Sequence, residues 1–501
     1  MSEEILINVT PQETRVAIVE NGLLQEVQVE RVGKQGLVGN IFKGCVSKVM
    51  PGMDAAFVDI GLPKAAFLHS SDVAYLPKDS GSRPALLGDP DESLQPCQNE
   101  SIANLLHEGQ QLLVQVIKDQ LGTKGARLTT SITVPSRYVV LLPYSNDIRL
   151  SARIEDSQER ARLMETTQGL LDELNAKCGC ILRTAAEGMS EADLRRDLKF
   201  LLDLWDTIVE KVICMSSVNQ VYSDLPLMIR TLRDLSVEEI EVVRVDSRSA
   251  FEAVQEFSTK LVPEIASCIS HYSGTRPIFD LYSIEDELQK SLHRKVELKS
   301  GGYLIFDQTE AMTTIDINTG GFVGHRNLEE TIYKTNLEAA QAIARQLRLR
   351  NLGGIIIIDF IDMENEEHTR QVMRTLEKFL EKDRARSQVY DVSPLGLVEM
   401  TRKRTRESLE HILCEPCFTC SGRGYIKTPE TVCFELFREI MREALQYESD
   451  SLLVLASQSV IDLLLDEEST SLAELEDHIG KAIKLQVESL YLQEQFDVVP
   501  L

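Results

Sequence analysis

The sequence predicts an α/β protein of several domains, and three observations carry that expectation. At 501 residues the chain exceeds what one hydrophobic core supports, so three or more compact units are expected. Short alternating apolar runs and longer runs at helical spacing follow one another along the chain, which mixes strands with helices. The stretch Gly301 to Met363 reads as strand, helix, strand, a unit whose two strands most simply lie parallel and adjacent.

Residues 1 to about 36 read as strands, ILINVT, TRVAIVE and LLQEVQVER, with Asn21-Gly22 as a hairpin turn. The run VGNIFKGCVSKVMPGMDAAFVDIGLPKAAFLHSSDV, with glycines at its bends and a return strand at QLLVQVIKD, predicts a small closed barrel of the oligonucleotide-binding (OB) kind. In such a barrel Phe57 and Phe67 would be stacking platforms, with Lys43, Lys48, Lys64 and Lys124 contacting phosphates. The competing reading is that both phenylalanines are core. Pro77 to Glu100, rich in Pro, Ser, Gly and acidic residues, reads as a loop insertion in the barrel. After Ser131 the pattern changes to strands SRYVVLLPY and CGCILRTAA and helices at 157–174 and 190–212. Strand EVVRV and helices FEAVQEFSTKL and IEDELQKSLHRKV fit an α/β layer over 220–295.

The strand–helix–strand stretch carries the chemistry. In AMTTIDINTG an extended chain puts Asp316 and Asn318 on one face, because residues two apart project together. The run Ile355 to Ile358, ending at Asp359, reads as a strand buried on both faces. Between them Asn327 is an N-cap with Glu330 at N3, and Leu337, Ala340, Ile343, Ala344 and Leu347 form the apolar stripe of a helix. Parallel pairing would bring both aspartates to the carboxyl edge of the sheet, where α/β sheets bind ligands. Two carboxylates without a histidine suit a hard cation such as magnesium. An aspartate after a strand is also a common turn residue or cap. The basic residues Arg345, Arg348 and Arg350 before the second strand, and Arg402, Lys403, Arg404 and Arg406 after it, favour phosphoryl chemistry over that bland reading.

Two smaller motifs stand out. Arg183-Thr184, directly after the apolar CIL strand, offers a guanidinium and a hydroxyl for a terminal phosphate. Cys417 and Cys420 form a CxxC followed by Ser-Gly-Arg-Gly, a zinc half-site. His411 and Cys414 could complete a crowded set within the chain, or the pair could await a second pair from another subunit; free surface cysteines are the bland alternative. Residues 429–501 read as a helix, a strand and an acidic α/β tail.

Composition sets outer bounds. The net charge of −26 argues against a nucleic-acid partner at first sight, yet 341–410 holds 13 basic and 12 acidic residues against 6 and 16 over 421–501, so charge is local. No apolar run reaches the roughly 20 residues that span a bilayer. MSEEILINVTPQE lacks a signal-peptide pattern, and the 10 cysteines form no disulfide framework, so a reduced, cytoplasmic chain is expected.

In this order, NIFKGCVSKVMPGMDAAFVDIG, GTKGARLTT, ILRTAAEG, SGGYLIFDQTEAMTTIDINTG, NLEAAQAIARQLRLRNLGGIIIIDFIDM, GLVEMTRKR and CFTCSGRG resemble the bacterial ribonuclease E/G family. The end of the chain soon after LYLQEQFDVV, with no long scaffolding tail, points to the G branch. The resemblance implies a layout of an RNase H-like layer (1–36 and 220–291) holding the OB-type RNA-binding barrel (37–130) and a 5′-phosphate sensor region (131–219). A DNase I-like catalytic domain (292–412), a zinc link (413–425) and a small α/β C-terminal domain (426–501) would follow. It further implies magnesium on Asp316 and Asp359 with Asn318 beside them, and hydrolysis of single-stranded RNA to 5′-phosphate and 3′-hydroxyl ends. A 5′-monophosphate sensor would be formed by Arg183, Thr184 and Val140, and RNA contacts by Phe57, Phe67 and Lys124. Zinc would be shared by Cys417 and Cys420 with the same pair of a second subunit, in a homodimer or a dimer of dimers. Ribosomal RNA 5′-end maturation and messenger decay are the implied roles. Three positions depart from the family pattern: Phe418-Thr419 between the cysteines where Pro-x is usual, Ser136 where a sensor glycine stands, and Cys45 where relatives carry Lys or Arg. The competing function is a non-catalytic RNA-binding or ribosome-maturation factor.

Overall fold

A computed structural model of the chain describes residues 3–33, 36–73, 101–120, 125–215, 217–234, 240–320, 328–404 and 406–501. The insertion expected over 77–100, Lys124 and the N-cap Asn327 lie outside the described residues. The chain divides into two units, Met1–Leu409 and Glu410–Leu501.

In the first unit the N-terminal strands Glu3–Val9, Glu13–Glu20 and Leu23–Arg31 form an antiparallel meander. The tight hairpin needs positive φ at both turn residues, and Asn21 (51°) and Gly22 (76°) supply it. Ile240–Val245 then pairs in parallel with Glu3–Val9 and is itself flanked by Ile269–His271. Chain segments far apart in sequence therefore share one sheet, whose buried Ile5, Ile7, Val16 and Ile18 pack with Val243, Val245 and Val254.

Between these segments lies a barrel of five strands in the order Ile41–Met50, Ala55–Asp59, Ala66–His69, Arg127–Thr129 and Gln111–Lys118, closed by pairing of the last with the first. Closure crowds the wall: a Cβ at Gly44 would lie 2.8 Å from Val58 Cγ1, which accounts for the glycine there. A further small sheet runs Ile148–Leu150, Gly179–Leu182, Val139–Leu142, Val134–Pro135, covered by helices Ser157–Glu173 and Glu191–Cys214 through Leu163, Leu170, Leu194, Leu198 and Leu201.

The sheet bearing the aspartates has six strands in the order Lys295–Glu297, Tyr303–Gln308, Met312–Asn318, Gly354–Asp359, Leu397–Arg402 and Ser387–Val389. Helices Leu328–Leu349 and Glu366–Leu380 cover one face, contacting Leu304, Phe306, Ile315, Ile317, Ile356, Ile358, Val398 and Met400. The other face is open, which corrects the expectation of a strand buried on both sides: Ile356 and Ile358 are fully buried, but Ile355 is 48% exposed. A continuous isoleucine run hides which parity faces the helices.

In the second unit helix Pro429–Gln446 buries Val432, Leu436 and Ile440 on a three-stranded sheet, Ala482–Val487, Ser451–Ala456 and Phe496–Pro500. No helix among the described residues is long and apolar enough to cross a membrane.

Candidate functional site

Asp359 ends strand Gly354–Asp359, and its register mate on the parallel neighbour Met312–Asn318 is Asp316, two residues before that strand's end. Strand parity sets both on the open face, away from the helices, and both are exposed. Asn318, on the same face, donates its amide N–H to Asp316 Oδ2 at 2.7 Å and so fixes that carboxylate's orientation. Burial, then the charges of Asp316 and Asp362, push the Asp359 carboxyl above its ordinary range. Two adjacent carboxylates on an open face are a site whose negative charge a divalent oxygen-loving cation neutralises, so the donor set fits magnesium. Among the described residues no group of three or more His, Cys, Asp or Glu is assembled for a metal.

Asp362 was not singled out in the sequence, and its signal, an acid three residues past Asp359, is weak without a fold. The turn that carries it is pinned from beneath by the fully buried Asn336, whose Nδ2 donates to the Ile361 carbonyl at 2.8 Å and whose Oδ1 accepts the Ile361 N–H at 3.2 Å.

The cationic surround is smaller than the sequence implied. Arg402 is buried against Asp383 at 2.6 Å, Arg350 is buried over the Phe306 ring at 4.6 Å, and Arg345 pairs with Glu287 at 2.6 Å. These three hold the fold together. Lys403 and Arg404 are exposed and, with Arg386, line a concavity of about 530 Å³ beside Ile355, at the opposite end of the strand from Asp359.

On the barrel, Phe57 and Phe67 are cross-strand partners with ring centroids 6.2 Å apart in an edge-to-face arrangement. Both are half-buried and lie outside the barrel core of Phe42, Val58, Leu68 and Leu128, so the core reading does not hold. His69 lies 6.4 Å beyond Phe67 on the same face, exposed Lys48 is paired with Phe57, and Arg127 with Phe67. Lys43 must be withdrawn as a phosphate contact: it is 6% exposed and its ammonium donates to the Met215 carbonyl at 2.6 Å. Lys64 is exposed.

Arg183 and Thr184 follow strand Gly179–Leu182 directly. Arg183 Nη1 donates to the Ser136 carbonyl at 2.9 Å and pairs with Asp234 at 2.9 Å, while the Thr184 hydroxyl is 2.9 Å from that of Ser151. Val140, half-buried opposite Ile181, shares the face of Arg183. The guanidinium is therefore held by protein acceptors on one side, a feature the dipeptide alone does not reveal.

The whole chain can be set beside known proteins. Residues 133–405 match the model of the Ribonuclease E/G family, and residues 416–500 match its thioredoxin-like domain. Ribonuclease G of Salmonella typhimurium (strain SL1344) is 55% identical over 499 residues, covering 100% of both chains. The chain belongs to the ribonuclease E/G family. Ribonuclease G of Haemophilus influenzae is 52% identical over 497 residues, 99% of each chain. Ribonuclease E of Escherichia coli (strain K12) is 35% identical over 481 residues, which is 95% of this chain and 44% of that protein.

The ribonuclease E/G match contains Val140, Arg183, Thr184, Asp316, Asn318 and Asp359. Cys417 and Cys420 fall in the thioredoxin-like match and belong to the second unit. There Ser421 (φ 51°), Gly422 (82°) and Gly424 (80°) turn the chain sharply, and the Gly424 N–H donates to Cys420 Sγ at 3.4 Å. The N–H of Cys420, then that of Thr419, hold the exposed Cys417 thiol below its usual range, which favours the thiolate that a metal takes. The crowded set with His411 and Cys414 is not assembled among the described residues.

Proposed function

We propose that this chain cuts single-stranded RNA internally by magnesium-dependent hydrolysis at Asp316 and Asp359. It is an endoribonuclease, a hydrolase, by its full-length relatedness to ribonuclease G. The observation that carries the mechanism is the pairing of Asp316 with Asp359 on the open face of the sheet. Asp316 and Asp359 would hold the metal, with the Asp316 carboxylate fixed by the Asn318 amide that donates to its Oδ2. Magnesium bound there supplies neutralisation of phosphate charge and an activated water for in-line attack. Hydrolysis that forms a P–O bond to water and breaks the P–O3′ bond would leave a 5′-phosphate and a 3′-hydroxyl. The open face admits an extended strand, whereas a duplex offers its phosphates on a rigid cylinder.

The layout we read for the first unit is an RNase H-like layer around an OB-type barrel and sensor region, leading into a DNase I-like catalytic layer. On the barrel, Phe57 and Phe67 stack bases while Lys48 meets the backbone. Phe57→Ala and Phe67→Ala are each expected to weaken binding of a single-stranded oligoribonucleotide by about 1–3 kcal/mol, measured by fluorescence anisotropy. An unchanged Kd in both would remove the platform.

Arg183, Thr184 and Val140 form the 5′-monophosphate clamp in this reading, and the ends it favours are those found in ribosomal RNA 5′-end maturation and messenger decay in a reducing cytoplasm. The test is a rate comparison on one oligoribonucleotide carrying either a 5′-monophosphate or a 5′-hydroxyl. The monophosphate form should be cut faster, and Arg183→Gln should erase the difference. Equal rates in the wild-type enzyme would leave the nuclease and remove the clamp. Zinc on Cys417 and Cys420, completed by the same two residues of a second subunit, makes the chain a homodimer or a dimer of dimers. The thiolate-favouring turn supports that assignment.

A further inference from the structure

Asp197 is a carboxylate that neither the metal chemistry nor the barrel uses. It sits on helix Glu191–Cys214 and is 2% exposed. Among the described residues no cation is paired with it. Instead its Oδ2 accepts the backbone N–H groups of Tyr138 and Val139, both at 2.9 Å, and its Oδ1 accepts the Ser136 hydroxyl at 2.5 Å. Removing a carboxylate of this kind leaves three buried donors without an acceptor, so the turn it holds cannot keep its shape without it.

That turn is also where the Arg183 side chain is anchored. The Ser136 carbonyl accepts from Arg183 Nη1 at 2.9 Å, and the Arg183 backbone N–H donates to the Tyr138 carbonyl at 2.8 Å. Arg137, between them and 4% exposed, donates from Nη1 to the carbonyls of Arg233 at 2.9 Å and Leu232 at 3.3 Å. It thereby ties down the last turn of helix Leu227–Asp234, whose final residue is the Asp234 that pairs with Arg183. Arg233 reaches back to the Pro135 carbonyl at 3.4 Å. Both acceptors of the Arg183 guanidinium therefore depend on one short turn, and that turn is hung on Asp197.

We propose that Asp197 is a positioning residue for 5′-end recognition: by fixing the turn Ser136–Val139 it sets where the Arg183 guanidinium presents its remaining donors to a terminal phosphate. The inference rests on the reading of Arg183 and Thr184 as the 5′-phosphate clamp. Hydrogen bonds to a phosphate are lost within a displacement of about 1 Å, so a change one shell removed acts on the clamp itself. Ser136 is part of the same device, since its hydroxyl is one of the three groups on Asp197 while its carbonyl holds Arg183.

The experiment measures, within each full-length variant, the ratio of cleavage rates for 5′-monophosphate and 5′-hydroxyl forms of the same oligoribonucleotide. A ratio cancels any loss of folded enzyme, which a purely structural role would cause. Asp197→Ala should lower the ratio by on the order of 10-fold, toward that of Arg183→Gln, as changes in supporting residues do at other sites. Asp197→Asn should retain most of it, because the carboxamide oxygen can accept both N–H groups while its NH2 donates to the Ser136 hydroxyl. Ser136→Ala should fall between, and it decides the matter if Asp197→Ala does not fold. A wild-type ratio in Asp197→Ala, or in Ser136→Ala in its place, while Arg183→Gln loses the preference, overturns the role of Asp197 alone. A wild-type ratio in Arg183→Gln overturns the clamp reading and this inference with it.

Discussion

Asp359→Asn should abolish cleavage, by roughly 10³-fold or more, while leaving the protein at least as stable as before. A loss of that size corresponds to about 4 kcal/mol of barrier, within what a metal ion contributes through charge stabilisation and an activated water. The stability half of the prediction follows from the sign of the carboxyl's shift. Its folded-state pKa is raised by burial and by the charges of Asp316 and Asp362. Ionised Asp359 therefore opposes folding, and stability falls as pH rises through the window above the ordinary carboxylate value. An uncharged asparagine of the same shape removes that repulsion. In metal-free buffer the melting temperature of Asp359→Asn should equal or exceed that of the wild type, and RNA binding on the barrel should persist. A variant that is inactive and also melts well below the wild type would mean that Asp359 is structural, and undiminished turnover would remove it from the site.

Joint replacement of Cys417 and Cys420 by serine should release zinc and halve the size of the assembly, a dimer falling to single chains or a dimer of dimers to dimers. A structural zinc with four thiolates contributes binding free energy that small folds cannot replace, about 10–16 kcal/mol in isolated zinc peptides. Serine keeps the turn, which Ser421, Gly422 and Gly424 shape through positive φ, but loses the sulfur that the Gly424 N–H supports. Metal analysis together with sedimentation of the full chain checks both consequences. A zinc-free double variant that keeps the wild-type oligomeric state would show that the cysteines do not join subunits.

The architecture was legible wherever local chemistry and strand parity agree. Asn21-Gly22 announced its hairpin, and the alternation of AMTTIDINTG put Asp316 and Asn318 on one face, as found. Parity failed only at Ile355–Ile358, where every residue is apolar and the sequence holds no record of which face the helices cover. Charge was the poorer guide. Lys43, Arg345, Arg350 and Arg402 all look like phosphate contacts in one dimension, yet each is spent on a carbonyl, a carboxylate or a ring within the fold. Positions such as Asn336, Asp197 and Asp362 were invisible for the opposite reason. Their roles come from partners 25 to 61 residues away, or from a turn whose shape no motif encodes. The residues themselves pointed to Arg183 with Thr184, and family resemblance added Val140, but neither revealed the carboxylate of Asp234 that shares the guanidinium.

The most direct test of the central claim is the rate of cutting of one single-stranded, AU-rich oligoribonucleotide by the wild-type enzyme as magnesium is titrated from chelated to millimolar concentration. If Asp316 and Asp359 hold the catalytic ion, cutting is absent in chelator, rises with magnesium to a plateau, and leaves 5′-phosphate and 3′-hydroxyl ends. Undiminished cutting in chelator, or ends carrying a 2′,3′-cyclic phosphate, would contradict the account, since both require chemistry that the two aspartates do not perform.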